Sequence, residues 1–508
     1  MKLSALCEAA NLFCPTCEAE REIGQIVTDS NRATANCLFV CIKGLHTDSH
    51  RLIGDAVALG AACVLTEEGA DYEVFPNVVY LSAPSTRSAL SLLYHAWYGF
   101  PTRHLKVIGV TGTNGKTTVT NMLRSILEAA FHPCGLIGTV GCESKGRRLE
   151  LGSENPLANF TTPDPRELYA ILAEMVRDGV EYVLMEVTSH ALALGKLEPI
   201  QFEAAIFTNL TPDHLDFHKT MDAYAEAKAR LFSKSKFSLI NLDSPYAGRM
   251  IIASNRYITC STKGKTADYV AELTEVREAS GVSYDLRSKS SHIRMSCPIP
   301  GDFTVANSLQ AAACALELGI SPATVKDALA NLRGVKGRME RVKLGFDADF
   351  QVLIDYAHTP DALENLLRSA QGIKQQNGRL VLLFGCGGDR DRSKRAVMGR
   401  IASALSDFVI VTSDNSRSED PRQIIEEILS GMDTAKPHRV IQNRAEAIAY
   451  AVKAAQAGDL ILLAGKGHEE YEITQEGRKP FFEKQIVQAA FAERLRSQKT
   501  KDVTETGL

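Results

Sequence analysis

The chain has 508 residues, of which 45% are hydrophobic and 23% are charged, and its formal net charge is −4 at pH 7. This length suggests about three domains, each able to bury a core. The slightly acidic balance offers no basic field for nucleic acid, and no apolar run reaches the ~18 residues of a membrane span, so neither nucleic-acid binding nor membrane insertion is expected. An acid follows the N-terminus too closely for a secretory signal, which indicates a cytoplasmic protein.

The first segment, residues 1–103, is predicted to be a small α/β domain. Strand patterns begin at Leu38 and at Val78, and a helix pattern covers residues 52–60 between them. The boundary is expected near Pro101.

A glycine-rich loop follows directly on the next strand pattern. Residues 107–118 read Val-Ile-Gly-Val-Thr-Gly-Thr-Asn-Gly-Lys-Thr-Thr, and an amphipathic helix pattern comes after them. Backbone N–H groups of such a loop cradle phosphates, Lys116 can reach the terminal phosphates, and the Thr117 hydroxyl can hold Mg²⁺. Val110 stands where the usual phosphate-binding loop (P-loop) has its first glycine. The pattern predicts a nucleoside triphosphate site.

The second segment, residues 104–338, alternates strand and helix patterns. They cover residues 165–177, 182–186, 205–208, 223–232 and 238–241. Such alternation is typical of a parallel sheet with helices on both faces. The looser pattern over 268–299 predicts a short antiparallel excursion.

Polar residues follow two of these strands where ligands gather in α/β sheets. Glu186 ends one strand pattern, and His214 comes soon after the next. Mg²⁺ that bridges phosphates needs oxygen-rich ligands, so both side chains are predicted to converge near Lys116.

The third segment, residues 339–496, again alternates the two patterns. Its strands are predicted at residues 351–355, 380–384, 408–412 and 460–464. This predicts a second doubly wound sheet. The polar tail, residues 497–508, is expected to be disordered.

Motifs along almost the whole chain resemble those of the Mur ligases in order and spacing. They begin at Gly109, Glu186, Thr208, Tyr224, Gly301, Gly337, Asp355 and Gly465. The resemblance implies an α/β fold of three domains: an N-terminal UDP-substrate domain, a central P-loop parallel sheet that binds ATP, and a C-terminal Rossmann-like doubly wound sheet. Within the family, the chain is most similar to the ligases that add the third residue of the peptidoglycan stem peptide.

This resemblance implies an ATP-dependent amide ligase that acts through an acyl phosphate. Its substrates would be UDP-N-acetylmuramoyl-L-alanyl-D-glutamate and meso-diaminopimelate, and a monomer is expected. The implied catalytic residues are Lys116, His214 and Lys228, with Mg²⁺ held by Thr117, Glu186, His214 and Lys228, the last as a carbamate. From the helix pattern alone, Lys228 is an exposed residue.

The resemblance also assigns the substrate positions. The implied ATP-binding residues are Gly112, Thr113, Asn114, Gly115, Lys116, Thr117, Thr118, Asn307, Arg338 and Asp355. The implied UDP-substrate residues are Ser30, Thr161, Thr162, Ser189 and Lys196. Two positions depart from the family: Asn31 stands where the family continues Asp-Ser-Arg, and Lys196 replaces an arginine, which weakens bidentate anion binding.

Amino-acid selectivity is predicted at residues 414–417, Asp-Asn-Ser-Arg, where diaminopimelate-adding relatives have Asp-Asn-Pro-Arg. The implied contacts are Arg390, Asp414, Asn415, Ser416, Arg417, Gly465 and Glu469. A guanidinium can pair with the distal carboxylate that lysine lacks. Ser416 in place of proline loosens the turn. The alternative is a surface ion pair of Arg417 with Glu419 or Asp420.

Other functions share parts of this pattern. A sister ligase that adds L-lysine, or one that extends folate with glutamate, would keep the central motifs. A non-catalytic Mur-like binder of cell-wall precursors would lack one of Lys116, Glu186, His214 or Lys228, and all four are present. A generic P-loop hydrolase would need no loop at 414–417.

Overall fold

The structure is a computed structural model that describes residues 1–44, 47–149, 161–272, 281–345 and 348–505. Strands of the described residues form three main sheets and a separate hairpin. Most neighbouring strands in these sheets are parallel and are connected through helices, which confirms the α/β class.

The N-terminal sheet has four parallel strands in the order β1-β2-β3-β4. The strands are β1 Gln25–Val27, β2 Cys37–Val40, β3 Ala61–Glu67 and β4 Val79–Ala83. The helices of this part are α1 Leu3–Ala9, α2 Ile53–Ala58 and α3 Thr86–Trp97. The sequence predicted β2, α2 and β4 but missed β3, an apolar strand that follows α2 directly.

The central sheet has eleven strands in the order β15-β14-β13-β12-β11-β10-β5-β9-β6-β7-β8. The strands are β5 Lys106–Thr111, β6 Cys134–Gly138, β7 Gly141–Ser144, β8 Arg147–Arg148, β9 Tyr182–Glu186, β10 Phe202–Phe207, β11 Ser235–Asn241, β12 Tyr257–Ser261, β13 Tyr269–Glu272, β14 Val282–Ser288 and β15 His292–Cys297. Strands from β13 to β6 pair in parallel, and both edges continue antiparallel. The antiparallel excursion predicted for 268–299 is confirmed in its described part by the pairs β13–β14 and β14–β15, and residues 273–280 of that prediction lie outside the described residues.

Helices cover both faces of this sheet. They are α4 Lys116–Ala129, α5 Pro165–Arg177, α6 Ser189–Ala193, α7 Leu215–His218, α8 Met221–Ala229, α9 Ala247–Ala253, α10 Asp302–Glu317 and α11 Pro322–Ala330. Ile108 and Val110 of β5 face the core with α4, whereas Val107 faces the other core, which the N-terminal sheet shares. Because apolar residues on both faces of β5 are covered, the strand is central in the sheet, and its carboxyl end carries the glycine-rich loop.

The C-terminal sheet has the order β16-β17-β21-β18-β19-β20, in which only β16 is antiparallel. Its strands are β16 Glu340–Arg341, β17 Gln351–Asp355, β18 Leu380–Phe384, β19 Phe408–Val411, β20 His438–Val440 and β21 Leu460–Ala464, and the hairpin is β22 Tyr471–Thr474 and β23 Gly477–Pro480. The helices are α12 Pro360–Ile373, α13 Ser393–Leu405, α14 Pro421–Leu429, α15 Arg444–Lys453 and α16 Glu483–Glu505.

The last helix, α16, extends into residues 497–508, for which the sequence predicts disorder. Among the helices that the structure describes, none combines the length and apolar character needed to cross a bilayer.

Candidate active site

The glycine-rich loop connects β5 to α4 and is braced by the residues that follow β10. Thr208 Oγ1 donates to the Asn114 carbonyl over 2.6 Å, and Asn209 Oδ1 accepts from the Asn114 N–H at 3.0 Å. Gly115 precedes α4 with a φ of 88°. A Cβ at Gly112 would collide with the Thr208 hydroxyl, so glycine is required where the two segments meet.

Lys116 bends back over this loop. Its Nζ donates to the carbonyls of Gly112 at 3.0 Å and Thr113 at 2.8 Å. Burial lowers the pKa of this lysine, and the nearby carboxylates of Glu186 and Asp213 partly oppose that shift. The loop therefore holds a cationic group at the start of a helix, as phosphate binding requires. Thr118 is buried in the first turn of α4.

A hydroxyl–carboxylate cluster lies beside Lys116. Thr117 Oγ1 donates to the Glu186 carboxylate at 2.9–3.0 Å, and Glu186 is 2% exposed. Thr139 also donates to Glu186, through its N–H and its Oγ1, both at 2.9 Å. The sequence analysis missed Thr139, which follows β6 directly, because it did not predict β6; with that strand in place, the strand-end rule would point to Thr139.

Lys228 is buried beneath the loop. It is 1% exposed, and its Nζ donates to Gly112 O at 3.0 Å and to Thr111 Oγ1 at 3.3 Å. The exposed position that the helix pattern predicts is therefore wrong, because α8 packs this side of its surface against the end of β5. Burial, with a contribution from Lys116, lowers the pKa of Lys228 well below its ordinary value.

His214 lies at the mouth of the same region. Its side chain is 46% exposed, and its Nε2 is 3.4 Å from an Asp213 oxygen. The ring packs edge-on against His190, with 4.9 Å between centroids, and lies 6.3 Å from Tyr224, whose ring also contacts the Lys228 ammonium. Among the described residues, no group of three or more His, Cys, Asp or Glu side chains is arranged so that it could hold a metal ion. A metal here would need Thr117 or Lys228 as well.

The predicted UDP-substrate residues divide into two groups. Thr161 bonds to Thr139 at 3.1 Å, Thr162 donates to the Glu186 carbonyl at 2.9 Å, and Ser189 contacts His218 Nε2 at 2.8 Å. Thr161 and Thr162 therefore border the Glu186 cluster, whereas Ser189 lies beside His218, whose ring packs against His190 and Tyr224.

The other two have different surroundings. Lys196 Nζ is 2.6 Å from Asp164. Ser30 is buried in a short 3₁₀ turn of the N-terminal part, and no hydrogen bond within the described ranges joins it to the other four.

The C-terminal part of the chain meets the phosphate loop and the start of α4 through two hydrogen bonds. Arg338 Nη2 donates to Thr117 Oγ1 at 3.0 Å, and Asn114 Nδ2 donates to Asp361 at 2.7 Å. The His468 ring packs against Tyr356, with 4.8 Å between centroids, and the Arg338 guanidinium also lies over the Tyr356 ring. The sequence analysis did not single out Asp361, because nothing in its local sequence shows that it meets the loop.

The remaining predicted nucleotide residues flank these contacts. Asp355 accepts from the N–H groups of Met339 and Ala357, both at 2.8 Å, and burial raises its pKa. Asn307 is buried, and its side-chain oxygen would lie 2.6 Å from a Cβ at Gly115.

The predicted amino-acid residues come from three loops at the carboxyl end of the C-terminal sheet. Asn415 Nδ2 donates to Glu469 at 2.7 Å, and its Oδ1 accepts from Lys466 at 2.9 Å. A Cβ at Gly465 would collide with the Asp414 carboxylate. Burial raises the pKa of Glu469, and Asp414 adds to that shift.

Arg417 does not form the surface ion pair that was the alternative. Its Nη1 donates to the carbonyls of Gly388 at 2.7 Å and Asn415 at 3.4 Å. Burial lowers its pKa, and the nearby Arg390 adds to the effect. Ser416 is buried, and Arg417 has a left-handed φ of 51°. Two guanidinium groups therefore share one region, which suits an anion.

Comparisons with known proteins agree with this arrangement. Residues 110–315 match the Mur ligase middle domain, and residues 337–467 match the Mur ligase glutamate ligase domain. A UDP-N-acetylmuramoyl-L-alanyl-D-glutamate--2,6-diaminopimelate ligase of Syntrophomonas wolfei is 40% identical over 496 residues, which cover 96% of this chain and 98% of the relative. One of Caldanaerobacter subterraneus is 41% identical over 475 residues, covering 93% and 95%.

Solved structures give the same result. A structure of a UDP-N-acetylmuramoyl-L-alanyl-D-glutamate--2,6-diaminopimelate ligase is 31% identical, with a TM-score of 0.67, over 97% of this chain and 99% of that chain. MurF from Acinetobacter baumannii is 21% identical, with a TM-score of 0.61, over 91% and 95%, and shares the fold.

Proposed function

This chain belongs to the Mur ligase family, and we propose that it joins 2,6-diaminopimelate to UDP-N-acetylmuramoyl-L-alanyl-D-glutamate with the hydrolysis of ATP to ADP and phosphate. The product would be a peptidoglycan precursor. The L-lysine-adding alternative is not favoured, because the relatives named above add diaminopimelate.

One observation carries the proposal: the phosphate loop and the loops with Arg390 and Arg417 belong to different sheets that meet. The Arg338–Thr117 and Asn114–Asp361 hydrogen bonds connect the phosphate loop and the start of α4 to the C-terminal part of the chain. A ligase must bring a phosphorylated acid and an amine together, and this arrangement supports such a meeting.

The reaction would proceed in two displacements. A carboxylate oxygen of the substrate attacks the terminal phosphorus of ATP, and ADP leaves with the electrons of the broken P–O bond. The amine of diaminopimelate then attacks the resulting acyl phosphate, loses a proton, and expels inorganic phosphate. Lys116 and the loop N–H groups would neutralise the phosphate charge in both steps.

We propose that Mg²⁺ is held by Thr117, Glu186 and His214. The buried hydroxyl–carboxylate pair at 2.9–3.0 Å is an oxygen donor set that suits this hard cation. When bound, Mg²⁺ would neutralise phosphate charge.

Lys228 is proposed to act as a carbamate. Only an uncharged amine adds CO₂, and burial lowers the pKa of Lys228 in that direction. The uncharged amine forms an N–C bond to CO₂ and loses one proton to solvent, which converts a neutral group into an anion beside the proposed metal site.

Substrate binding is assigned residue by residue. For the nucleotide, we propose the loop residues 112–118 with Asn307, Arg338 and Asp355. For the UDP-substrate, we propose Ser30, Thr161, Thr162, Ser189 and Lys196. For diaminopimelate, we propose Arg390, Asp414, Asn415, Ser416, Arg417, Gly465 and Glu469. Since one chain supplies all these groups, a monomer would be sufficient.

The test is phosphate release from ATP with Mg²⁺ and UDP-N-acetylmuramoyl-L-alanyl-D-glutamate, in which meso-diaminopimelate is compared with L-lysine and the product mass is measured. We expect turnover with diaminopimelate and a product that is heavier by one diaminopimelyl residue. Turnover with lysine alone would overturn the proposed selectivity. No turnover with either amino acid would overturn the ligase proposal.

A further inference from the structure

The two loops that carry Arg390 and Arg417 are bonded to each other along their length. These are residues 387–390, here called the glycine loop, and residues 415–419, here called the arginine loop. The Gly388 N–H donates to Asn415 O at 2.9 Å, and Ser418 Oγ donates to Asp389 at 2.6 Å. These hydrogen bonds connect the position of the Arg390 loop to that of the Arg417 loop.

Both loops contain a residue in an unfavourable backbone conformation. Asp389 has a φ of 52°, and Arg417 has a φ of 51°. Residues with a side chain rarely adopt this left-handed region, and surrounding contacts must maintain it. At Asp389 such a contact comes from Glu419, which pairs with the buried guanidinium of Arg395, whereas the Arg417 N–H donates to Ile473 O at 3.1 Å.

Arg395, near the start of α13, is 0% exposed and bonds to both loops. Its Nη2 donates to Gly387 O at 3.1 Å and to Glu419 Oε1 at 2.8 Å, and its Nη1 donates to Glu419 Oε2 at 2.9 Å. Glu419 in turn accepts from the Asp389 N–H at 2.6 Å. One guanidinium thus connects the glycine loop with the arginine loop through a bidentate pair.

The Arg395–Glu419 pair also determines whether Arg417 has a carboxylate partner in its own loop. Glu419 is two residues from Arg417 and is the carboxylate that the sequence offers as its partner. Hydrogen bonds from Arg395 hold the pKa of Glu419 at about 2, so it stays anionic and bound to Arg395. Arg417 instead bonds to two carbonyl oxygens through one nitrogen, Nη1. Its other guanidinium nitrogens can face a substrate carboxylate.

We propose that Arg395 and Glu419 are positioning residues for amino-acid selectivity. They hold the two loops so that Arg390 and Arg417 face the distal carboxylate of the incoming amino acid, and they prevent Glu419 from neutralising Arg417. This inference rests on the proposed diaminopimelate ligase activity. Neither Arg395 nor Glu419 takes part in the phosphate chemistry, so their substitution should affect the binding of the amino-acid substrate alone.

The test compares R395M and E419Q with a matched control, E427Q. Glu427 also accepts from Arg395, at 2.8 Å, but its hydrogen bonds go to Arg392 and Arg395 and not to either loop. KM values for meso-diaminopimelate, ATP and the UDP-substrate are measured for each full-length protein, together with kcat and the thermal midpoint. E419Q keeps the shape of the side chain and provides a second variant if R395M does not fold.

We expect R395M and E419Q to raise the KM for meso-diaminopimelate about tenfold, as for the loss of a charged hydrogen bond. The KM values for ATP and the UDP-substrate should change less than about twofold, and E427Q should leave all three near wild type. An equal rise for ATP, or an equal effect of E427Q, would overturn the positioning role. Wild-type protein that does not use diaminopimelate would instead contradict the proposed function, which separates the two failures.

Discussion

The phosphate loop and the amino-acid loops lie at the carboxyl ends of two parallel sheets, yet they are built differently. The phosphate loop is one continuous stretch, and its Thr111–Lys116 backbone follows directly from β5 into α4. The amino-acid loops come from segments around residues 387, 415 and 465, which buried ion pairs and amide hydrogen bonds bring together.

Because of this difference, we expect substitutions in the two regions to affect activity in different ways. A change in the phosphate loop affects the step that every substrate shares, whereas a change in the amino-acid loops affects the recognition of one substrate. The following predictions test that contrast, in order of decreasing effect.

Loss of the phosphate-loop lysine should have the largest effect. Lys116→Ala removes the cation that would neutralise the transferring phosphate, and we expect kcat to fall by about 10³-fold or more. Steady-state phosphate release measures it. Lys236→Ala, on an exposed lysine paired with Glu203, is the control and should be near wild type. Comparable losses in both variants would mean that Lys116 has no special role.

Removal of Lys228 should also abolish most activity, but in a way that can be reversed. We expect Lys228→Ala to lower kcat by about 10²- to 10³-fold, since the proposed anion beside the metal is lost. Acetate can supply a carboxylate to the emptied space and should restore part of the rate, whereas chloride at equal ionic strength should not. Rescue of Lys116→Ala by acetate to the same degree would argue against a carbamate.

Substitution of Arg417 should affect the binding of one substrate only. Arg417→Ala is expected to raise the KM for meso-diaminopimelate by about 10- to 50-fold, because a carboxylate loses its charged partner. The KM for ATP should stay within about twofold. Arg422→Ala, on an exposed arginine of the following helix, is the control. A matching loss of ATP affinity would remove the contrast between the two regions.

The smallest expected effect concerns His468, a buried histidine whose ring packs against Tyr356. Burial lowers its pKa to about 3, below the ordinary value of 6.5, so the folded protein excludes a proton that the unfolded chain binds. Stability from this histidine is full above pH 6.5 and is lost as the pH falls toward 3. His468→Gln should therefore reduce the drop in thermal midpoint between pH 7 and pH 5 by about 1–2 °C. An unchanged drop would show that His468 does not contribute to the pH dependence of stability.

Much of the fold could be predicted because its signals are local. Apolar runs bounded by polar residues indicated β9, β17, β18 and β21, and the glycine-rich loop indicated the start of α4. The β3 strand was missed although its apolar run is similar and Gly60, with a φ of 103°, separates it from α2.

Side-chain surroundings depend on contacts between distant segments. Apolar and polar residues are not clearly separated on opposite faces of α8, so the helix pattern around Lys228 could not show that the end of β5 covers this lysine. Thr139 and Arg395 offered no motif of their own, and their importance follows from the carboxylates of Glu186 and Glu419 that they bond.

The sequence by itself determined the α/β class, the phosphate loop and the family, because these depend on residues close together along the chain or on motifs in a constant order. Only the tertiary structure decided that Glu419 pairs with Arg395 rather than Arg417, that Lys228 is buried, and that Arg338 reaches Thr117. The physical reason is that hydrogen bonding and burial depend on distance in space, and residues 221 positions apart in sequence, as in the last pair, meet only when both sheets have folded.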